Sequence, residues 1–517
     1  MKKALVLVLL AALLLPAPAL AEGDKPDAGK SFSILVDDSG LVEDKIMLPI
    51  LEEQTGIHVD FMLLPYEAAV ERKNILITSG DYPDAIGGWL LGENDILTLG
   101  MTDGLFVPLD EYMNDTTPNM QTVLAIPGVK DAFTLPDGHI YTIPYVIGEP
   151  LVTFLPFINT DWLKAVNMEM PTTTDEFAAV LRAFKAQDAN GNGDPNDEIP
   201  FSADPNNKDL GVLAGYFGVN ASNSGQRHYC TLVDGKVFFG ANQPGYKEFI
   251  KWFAGLYAEG LIDPELFTQD LATWKAKGAK SSNLYGVSIA YGSGDYYEME
   301  PGTNYTPFAP LPVLKSDFAE TPVFRRNGYG VTYFRSQVAV TDKAEDPGLI
   351  VRWFDNVFDL DNSMQIQAGL YGKRLERLED GSFRYLDETL MSEADREKYG
   401  WGNMFCQSLP KFCPVEIKIA PVVGQPLPYA EKDTADALYA PYLDEPLPKP
   451  WLQAADAERM STLATDIVNY VDQKMAQWIS GEADVEAEWD AYCAQLETLG
   501  LQELIDIKQK ALDTLEK

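Results

Sequence analysis

Histidine and cysteine are scarce in this chain, with three histidines (His58, His139, His228) and four cysteines (Cys230, Cys406, Cys413, Cys493) in 517 residues. The cysteines never form a Cys-x-x-Cys pair, which argues against a zinc site, and four thiols over this length do not build a disulfide framework. Cys406 and Cys413 are close enough in sequence to bridge a loop in an oxidising compartment. Cys493 falls on an apolar helical stripe and reads as a buried thiol. Positive charge is also short: 40 Lys and Arg face 78 Asp and Glu, a net charge of −38. A field of that sign repels nucleic acid and anionic membrane surfaces, so neither is expected as a partner. Arg325 and Arg326 leave room for a local anionic contact. No apolar run reaches the roughly 20 residues that a bilayer-spanning helix needs.

The longest apolar run, residues 4–15, follows Lys2 and Lys3 and precedes Pro16-Ala17-Pro18-Ala19-Leu20-Ala21. This is the pattern of a signal peptide over residues 1–21, so the protein is expected to be exported, and soluble in the periplasm or outside the cell. No cysteine follows the run to carry a lipid. Cleavage leaves 496 residues and a charge of −40. That length exceeds one ordinary domain and points to two lobes with a core each.

From 31 to 86 the pattern alternates: strand over 32–36, helix over 42–54, strand over 58–63, helix over 68–79, then strand over 84–86. A βαβα opening predicts a layered α/β lobe with ligands at the carboxyl ends of its strands. Thr173 and Glu176 have capping-box spacing ahead of an apolar helical stripe at Phe177, Val180, Leu181 and Phe184. Further helices are read through Phe249, Ile250 and Phe253, and from Pro347 through Ile350, Phe354 and Val357. Two more run through Leu463 to Trp478 and Val485 to Leu496, closed by Gly481 and Gly500. The proline-rich stretch 441–450 reads as a packed connection.

Directly after the capping-box helix, residues 188–200 place oxygen-bearing side chains at alternate positions around two glycines. A hard cation such as calcium takes about six to eight oxygens, and ligands at positions one, three and five followed by glycine wrap a chain around it. Asp188, Asn190, Asn192 and Gly193 fit that arrangement. The twelfth position holds Ile199 rather than glutamate, so Asp197 or Glu198 must close the site. The same residues also suit a solvated turn.

Segments 77–84, 137–145, 170–177 with the loop after it, 256–264 and 478–490 together resemble family 1 extracellular solute-binding proteins of ABC importers. The resemblance is to the large, calcium-containing branch that includes alginate-oligosaccharide-binding proteins. It implies an α/β, two-lobed periplasmic-binding-protein fold with several chain crossings and a helical C-terminal region. Lobe 1 would hold 31–150 and a return segment 316–365; lobe 2 would hold 151–315 and most of 366–517. It also implies a structural Ca²⁺ held by Asp188, Asn190, Asn192, the Asp194 carbonyl and the Asp197–Glu198 pair. The implied partners are an oligosaccharide and the transmembrane subunits of an ABC permease, with the receptor itself a monomer.

A sugar offers an apolar face and a rim of hydroxyls, so its receptor needs aromatic platforms and polar side chains. Trp252, Trp353, Trp478 and Trp489 lie in helical segments and are assigned to packing. Trp89, Trp274, Tyr291 and Trp401 lie near glycines or in polar stretches and are the platform candidates. Asp37, Asp38 and Tyr145 join them by position at a strand end or at the first crossing. A secreted glycoside hydrolase or polysaccharide lyase would share the signal peptide, calcium and aromatic cleft, but no catalytic motif is present, and no enzyme activity is expected.

Overall fold

The computed structural model describes residues 25–38, 44–205, 209–224, 227–298, 306–327, 331–413, 419–423 and 430–515. The expected signal peptide lies outside them. In chain order, the strands that frame the site are β1 (Ser31–Asp37), β2 (His58–Leu64), β3 (Ala85–Gly87), β4 (Tyr145–Gly148), β5 (Leu155–Asn159), β6 (Ile199–Ala203), β7 (Tyr285–Ala290), β8 (Phe308–Pro310), β9 (Val331–Phe334) and β10 (Val338–Val340).

The βαβα opening forms as expected. β1 pairs in parallel with β2 and β3, and β10 closes the sheet antiparallel to β3. Successive strand residues point to opposite faces. Ile34 and Val36 therefore enter one buried cluster while Leu35 enters another, and helices cover both. The helix expected over 42–54 starts at Met47. The N–H groups of Ile46 and Met47 donate to the carbonyls of Asn403 and Met404 (3.0 Å each), so tertiary bonds hold the backbone at the helix start. The second sheet has the order β8–β5–β7–β6, with only β6 and β7 parallel.

Local signals hold elsewhere. Thr173 accepts from Glu176 N (3.1 Å), and Glu176 reaches back to Thr172 N (2.8 Å) rather than to Thr173. Asp346 caps the Pro347–Val357 helix through Leu349 N (3.0 Å), and Ile350, Phe354 and Val357 are fully buried. Gly481 ends the Ala454–Ser480 helix at φ 80°, a left-handed conformation that suits glycine. All four cysteines carry free thiols.

Buried side chains separate into two large bodies and a small cluster of Met364, Ala368, Leu375 and Phe383. One draws on 152–324 and 435–512. The other, on both faces of the first sheet, draws on 32–146, 331–366 and 405–409, with Trp451. Within 366–517, Ile366, Phe405, Cys406 and Leu409 pack with the body around the first sheet, Ala368, Leu375 and Phe383 in the small cluster, and Tyr439 and Leu463 to Leu512 with the other large body.

Between the bodies, β4 and β9 pair antiparallel, matching Tyr145 with Phe334 and Gly148 with Val331. Val146 N donates to Lys411 O and Cys413 N to Val146 O (3.1 Å each), adding a third strand-like segment. The proline-rich stretch packs as expected and also bridges the cores. Asp444 accepts from Asn220 Nδ2 (2.6 Å) and Arg326 N (2.8 Å) in the second lobe. Trp451 Nε1 donates to Ala132 O (2.7 Å) in the first. Arg335, 3% exposed, grips Glu93 with two bonds (3.0 and 2.6 Å), donates to Lys449 O (2.6 Å) and lies 4.2 Å from the Trp451 ring centroid.

Candidate functional site

Trp89 stands on the turn that leaves β3, and the backbone there admits only glycine before it. Gly88 has φ 72°, and a Cβ added to it would lie 2.5 Å from Asp37 Oδ2. That carboxylate accepts from Trp89 N (2.9 Å), so Asp37, 2% exposed at the end of β1, fixes the turn. Trp89 itself is 42% exposed. Its ring meets Phe334 edge-on at 5.8 Å, and Phe334 meets the Tyr145 ring at 5.0 Å. Tyr145 is buried and donates to Gln407 O (3.0 Å). Asp37 and Tyr145 therefore support the exposed indole from beneath. Asp38 accepts from Tyr66 N (2.8 Å), beside a tyrosine side chain that is itself exposed.

A second cluster of aromatic and charged side chains forms where the chain passes from β4 to β5. Tyr291 follows β7, donates its hydroxyl to Glu149 Oε2 (3.1 Å) and meets Phe154 edge-on at 5.7 Å. Burial raises the Glu149 pKa against the pull of the Tyr291 hydrogen bond, Lys432 and Arg325. Arg325, 8% exposed, donates to Thr153 Oγ1 (2.6 Å), and burial lowers its pKa. Asp436 accepts from Leu151 N and Val152 N (3.0 and 3.1 Å), so segment 149–153 is pinned from two sides. A small cavity opens beside it, lined by Thr153, Asp209, Ser222 and Arg325 among others.

Trp274 is corrected from platform to core. The polar stretch around it is the Leu271–Gly278 helix, capped by Asp270, and turns its one large apolar ring inward. Trp274 is 0% exposed, donates Nε1 to Ser288 Oγ (3.2 Å) and packs against Tyr296 at 5.2 Å. Trp401 opens a single turn, Trp401–Asn403, and its side chain lies outside the described residues. The structure therefore brings Asp37, Tyr145 and Trp89 together around Phe334 and places Tyr291 apart from them, beside Glu149 and Phe154. Sequence reading missed Tyr66, Glu149 and Lys432, which are scattered singly with no motif to mark them.

The 188–198 loop is bound to itself through a run of Asx turns. Asn190 Oδ1 accepts from Asn192 N (2.9 Å), Asn192 Oδ1 from Asp194 N (2.7 Å) and Asp194 Oδ1 from Asn196 N (3.1 Å). Asp188 Oδ2 takes Gly193 N (2.9 Å), and Glu198 Oε1 takes Ala189 N (2.9 Å). The Asn190 and Asn192 amides donate to Asp197 (3.0 and 2.6 Å). Asp188 Oδ1 and Glu198 Oε2 are buried and make no hydrogen bond. Burial pushes the Glu198 pKa up. Two orphaned carboxylate oxygens facing a loop of oxygen donors fit a hard cation. The described residues nevertheless contain no cluster of three or more His, Cys, Asp or Glu side chains placed to hold a metal.

The model for bacterial extracellular solute-binding proteins matches residues 27–358. The fructooligosaccharide ABC transporter substrate-binding protein FusA of Streptococcus pneumoniae serotype 4 (strain ATCC BAA-334 / TIGR4) is 30% identical over 504 residues, covering 91% of this chain and 87% of that protein. S. pneumoniae FusA has been solved as an EF-hand mutant with fructo-nystose and also with kestose. Both structures are 28% identical with a TM-score of 0.74, and cover 94% of this chain and 99% of theirs. A solute-binding protein of Bifidobacterium longum subsp. infantis shares the fold at 23% identity and a TM-score of 0.78, with coverage of 94% and 99%. Two cores joined by paired crossing strands, and a family match over most of the chain, make this protein a member of the bacterial extracellular solute-binding family.

Proposed function

We propose that this protein captures an oligosaccharide outside the cytoplasmic membrane and delivers it, unaltered, to the permease subunits of an ABC importer. The observation that carries this reading is a pair of sugar-suited clusters, one at a strand end of each main sheet. An exposed indole, Trp89, stands on the first, and an aromatic and polar wall of Tyr291, Glu149 and Arg325 stands on the second. Aromatic rings suit the apolar faces of sugar rings, and paired charges suit their hydroxyls. A ligand that touches both walls favours the closed form, since the open form lacks half of its contacts. The likeness to FusA supports a short oligosaccharide, with a fructooligosaccharide first to be tried. Asp38 and Trp401 stay in the proposed ligand set; Trp274 does not.

The proposed lobes are 31–148 with 331–412, and 149–327 with 430–517, the proline-rich strap reaching back to the first. The protein acts as an exported monomer. The 188–198 loop is the proposed structural Ca²⁺ site, with Asp188, Asn190, Asn192, the Asp194 carbonyl, Asp197 and Glu198 as donors. When bound, the ion ties the loop to the end of the Thr174–Ala186 helix. The function is tested by a thermal-shift screen of the mature protein with calcium present, using kestose, nystose and unrelated oligosaccharides. A sugar that raises the melting temperature and is recovered intact supports the reading; failure of every oligosaccharide to shift it refutes the reading.

A further inference from the structure

Lys432 lies on the first turn of the Ala430–Tyr439 helix and is 6% exposed. Its ammonium nitrogen is buried, makes no hydrogen bond, and lies 3.8 Å from the Tyr291 ring centroid and 5.6 Å from that of Phe157. The carboxylates that face it from the surrounding elements are Glu431, Asp295, Glu149 and Asp436. Each is engaged elsewhere. Glu431 takes Ser293 N and Oγ (3.0 and 2.7 Å), Asp295 takes Gly292 N (3.1 Å), Glu149 takes the Tyr291 hydroxyl, and Asp436 takes Leu151 N and Val152 N. The charge is left to the face of an aromatic ring. A buried ammonium without a hydrogen bond is unfavourable, and an apolar side chain of the same volume would be more stable in its place. Core stability therefore does not explain a lysine here.

We propose that Lys432 is a positioning residue of the sugar site: its ammonium holds the face of the Tyr291 ring while Glu149 holds the hydroxyl, fixing the ring as a platform. The inference rests on the oligosaccharide reading and deepens it. Burial lowers the Lys432 pKa to about 8, against the opposing pull of the four carboxylates. The ammonium is therefore lost as pH rises through that value, and the hold on Tyr291 goes with it.

The experiment is titration calorimetry with kestose and nystose from pH 6.5 to 9.5, on wild type, Lys432→Met, Tyr291→Ala and the double variant, with melting temperatures alongside. Lys432→Met is expected to bind about tenfold more weakly at pH 7, the effect of a desolvated cation–π contact. It should melt no lower than wild type, show a flat pH profile, and add nothing in the Tyr291→Ala background. Wild-type affinity should decline above pH 8 toward that of Lys432→Met. Equal affinity of wild type and Lys432→Met, or effects of Lys432→Met and Tyr291→Ala that simply add, overturns the inference alone. If Lys432→Met does not fold, the wild-type profile decides, and constant affinity from pH 7 to 9.5 overturns the inference. Failure of wild type to bind either sugar removes the fructooligosaccharide choice and this inference together, while the oligosaccharide reading itself is decided by the wider thermal-shift panel.

Discussion

Trp89 and Trp274 make opposite demands on the protein, and replacing each separates binding from folding. Trp274 is 0% exposed and its indole donates to the equally buried Ser288. Trp274→Ala leaves a cavity and an unpaired hydroxyl, a loss of about 3–5 kcal/mol. In a lobe of this size each kcal/mol is worth about 2–4 °C, so the melting temperature should fall by roughly 6–20 °C. Trp89 is 42% exposed, with a single ring contact to Phe334 among its described aromatic neighbours. Trp89→Ala forfeits about 0.5–1.5 kcal/mol of stability through that contact. As a central aromatic anchor it should cost more in binding, about 1–3 kcal/mol, or roughly 5- to 150-fold in affinity for the bound sugar. Calorimetric melting and sugar titration on Trp89→Ala, Trp274→Ala and the volume-sparing Trp274→Phe give the comparison. Wild-type affinity in Trp89→Ala, or weakened binding in a Trp274→Phe protein that melts like wild type, would refute the reasoning.

Three further outcomes are expected from the structure. Chelation should lower the melting temperature, because an ion present at 100 times its dissociation constant stabilises the native state by about 2.7 kcal/mol. Asp188→Ala with Glu198→Gln should abolish that difference, whereas an unchanged melting temperature in wild type together with no calcium by elemental analysis would dismiss the site. Arg335→Met removes both bonds to Glu93 and the bond to Lys449 O, leaving the part-exposed Glu93 with Lys449 at 3.6 Å, and should cost about 1.5–3 kcal/mol in urea unfolding; a loss under 1 kcal/mol would show that the cluster does not hold the strap. Asp355 is buried beneath Met120 N and its pKa is raised by burial to about 6. The native state thus binds more protons than the unfolded chain between about pH 4 and 6, and stability falls as pH rises through that window. Asp355→Asn should gain on wild type by up to about 2 kcal/mol at pH 7 compared with pH 4.5, and an equal difference at both pH values would contradict this.

The elements legible in the sequence are those fixed by local rules. The short apolar run of β1, the Thr173 cap, Pro347 at a helix start and Gly481 at a helix end all stand where their residue types require. Trp89 follows a Gly-Gly turn at a strand end, as its sequence position indicated, and stands exposed there. Trp274 misled because its neighbours are polar, yet on a short helix the one large ring turns inward whatever its neighbours are. Glu149 and Lys432 were illegible, and Arg325 was read only as a local cation, because crossing segments 149–153 and 325–327 and the Ala430–Tyr439 helix meet only in three dimensions. The division of 366–517 between the two cores has the same cause: Phe405 and Leu409 are placed by the pairing of Val146 with Phe412, which no local pattern announces.

The central claim is a receptor that closes on an intact sugar. It is tested most directly by small-angle scattering of the mature, calcium-loaded protein during titration with kestose or nystose, with the recovered sugar analysed at the end point. A receptor that closes gives a radius of gyration that falls with saturation and returns the sugar uncleaved. An unchanged radius at saturation, or cleaved products in the recovered sugar, would contradict it.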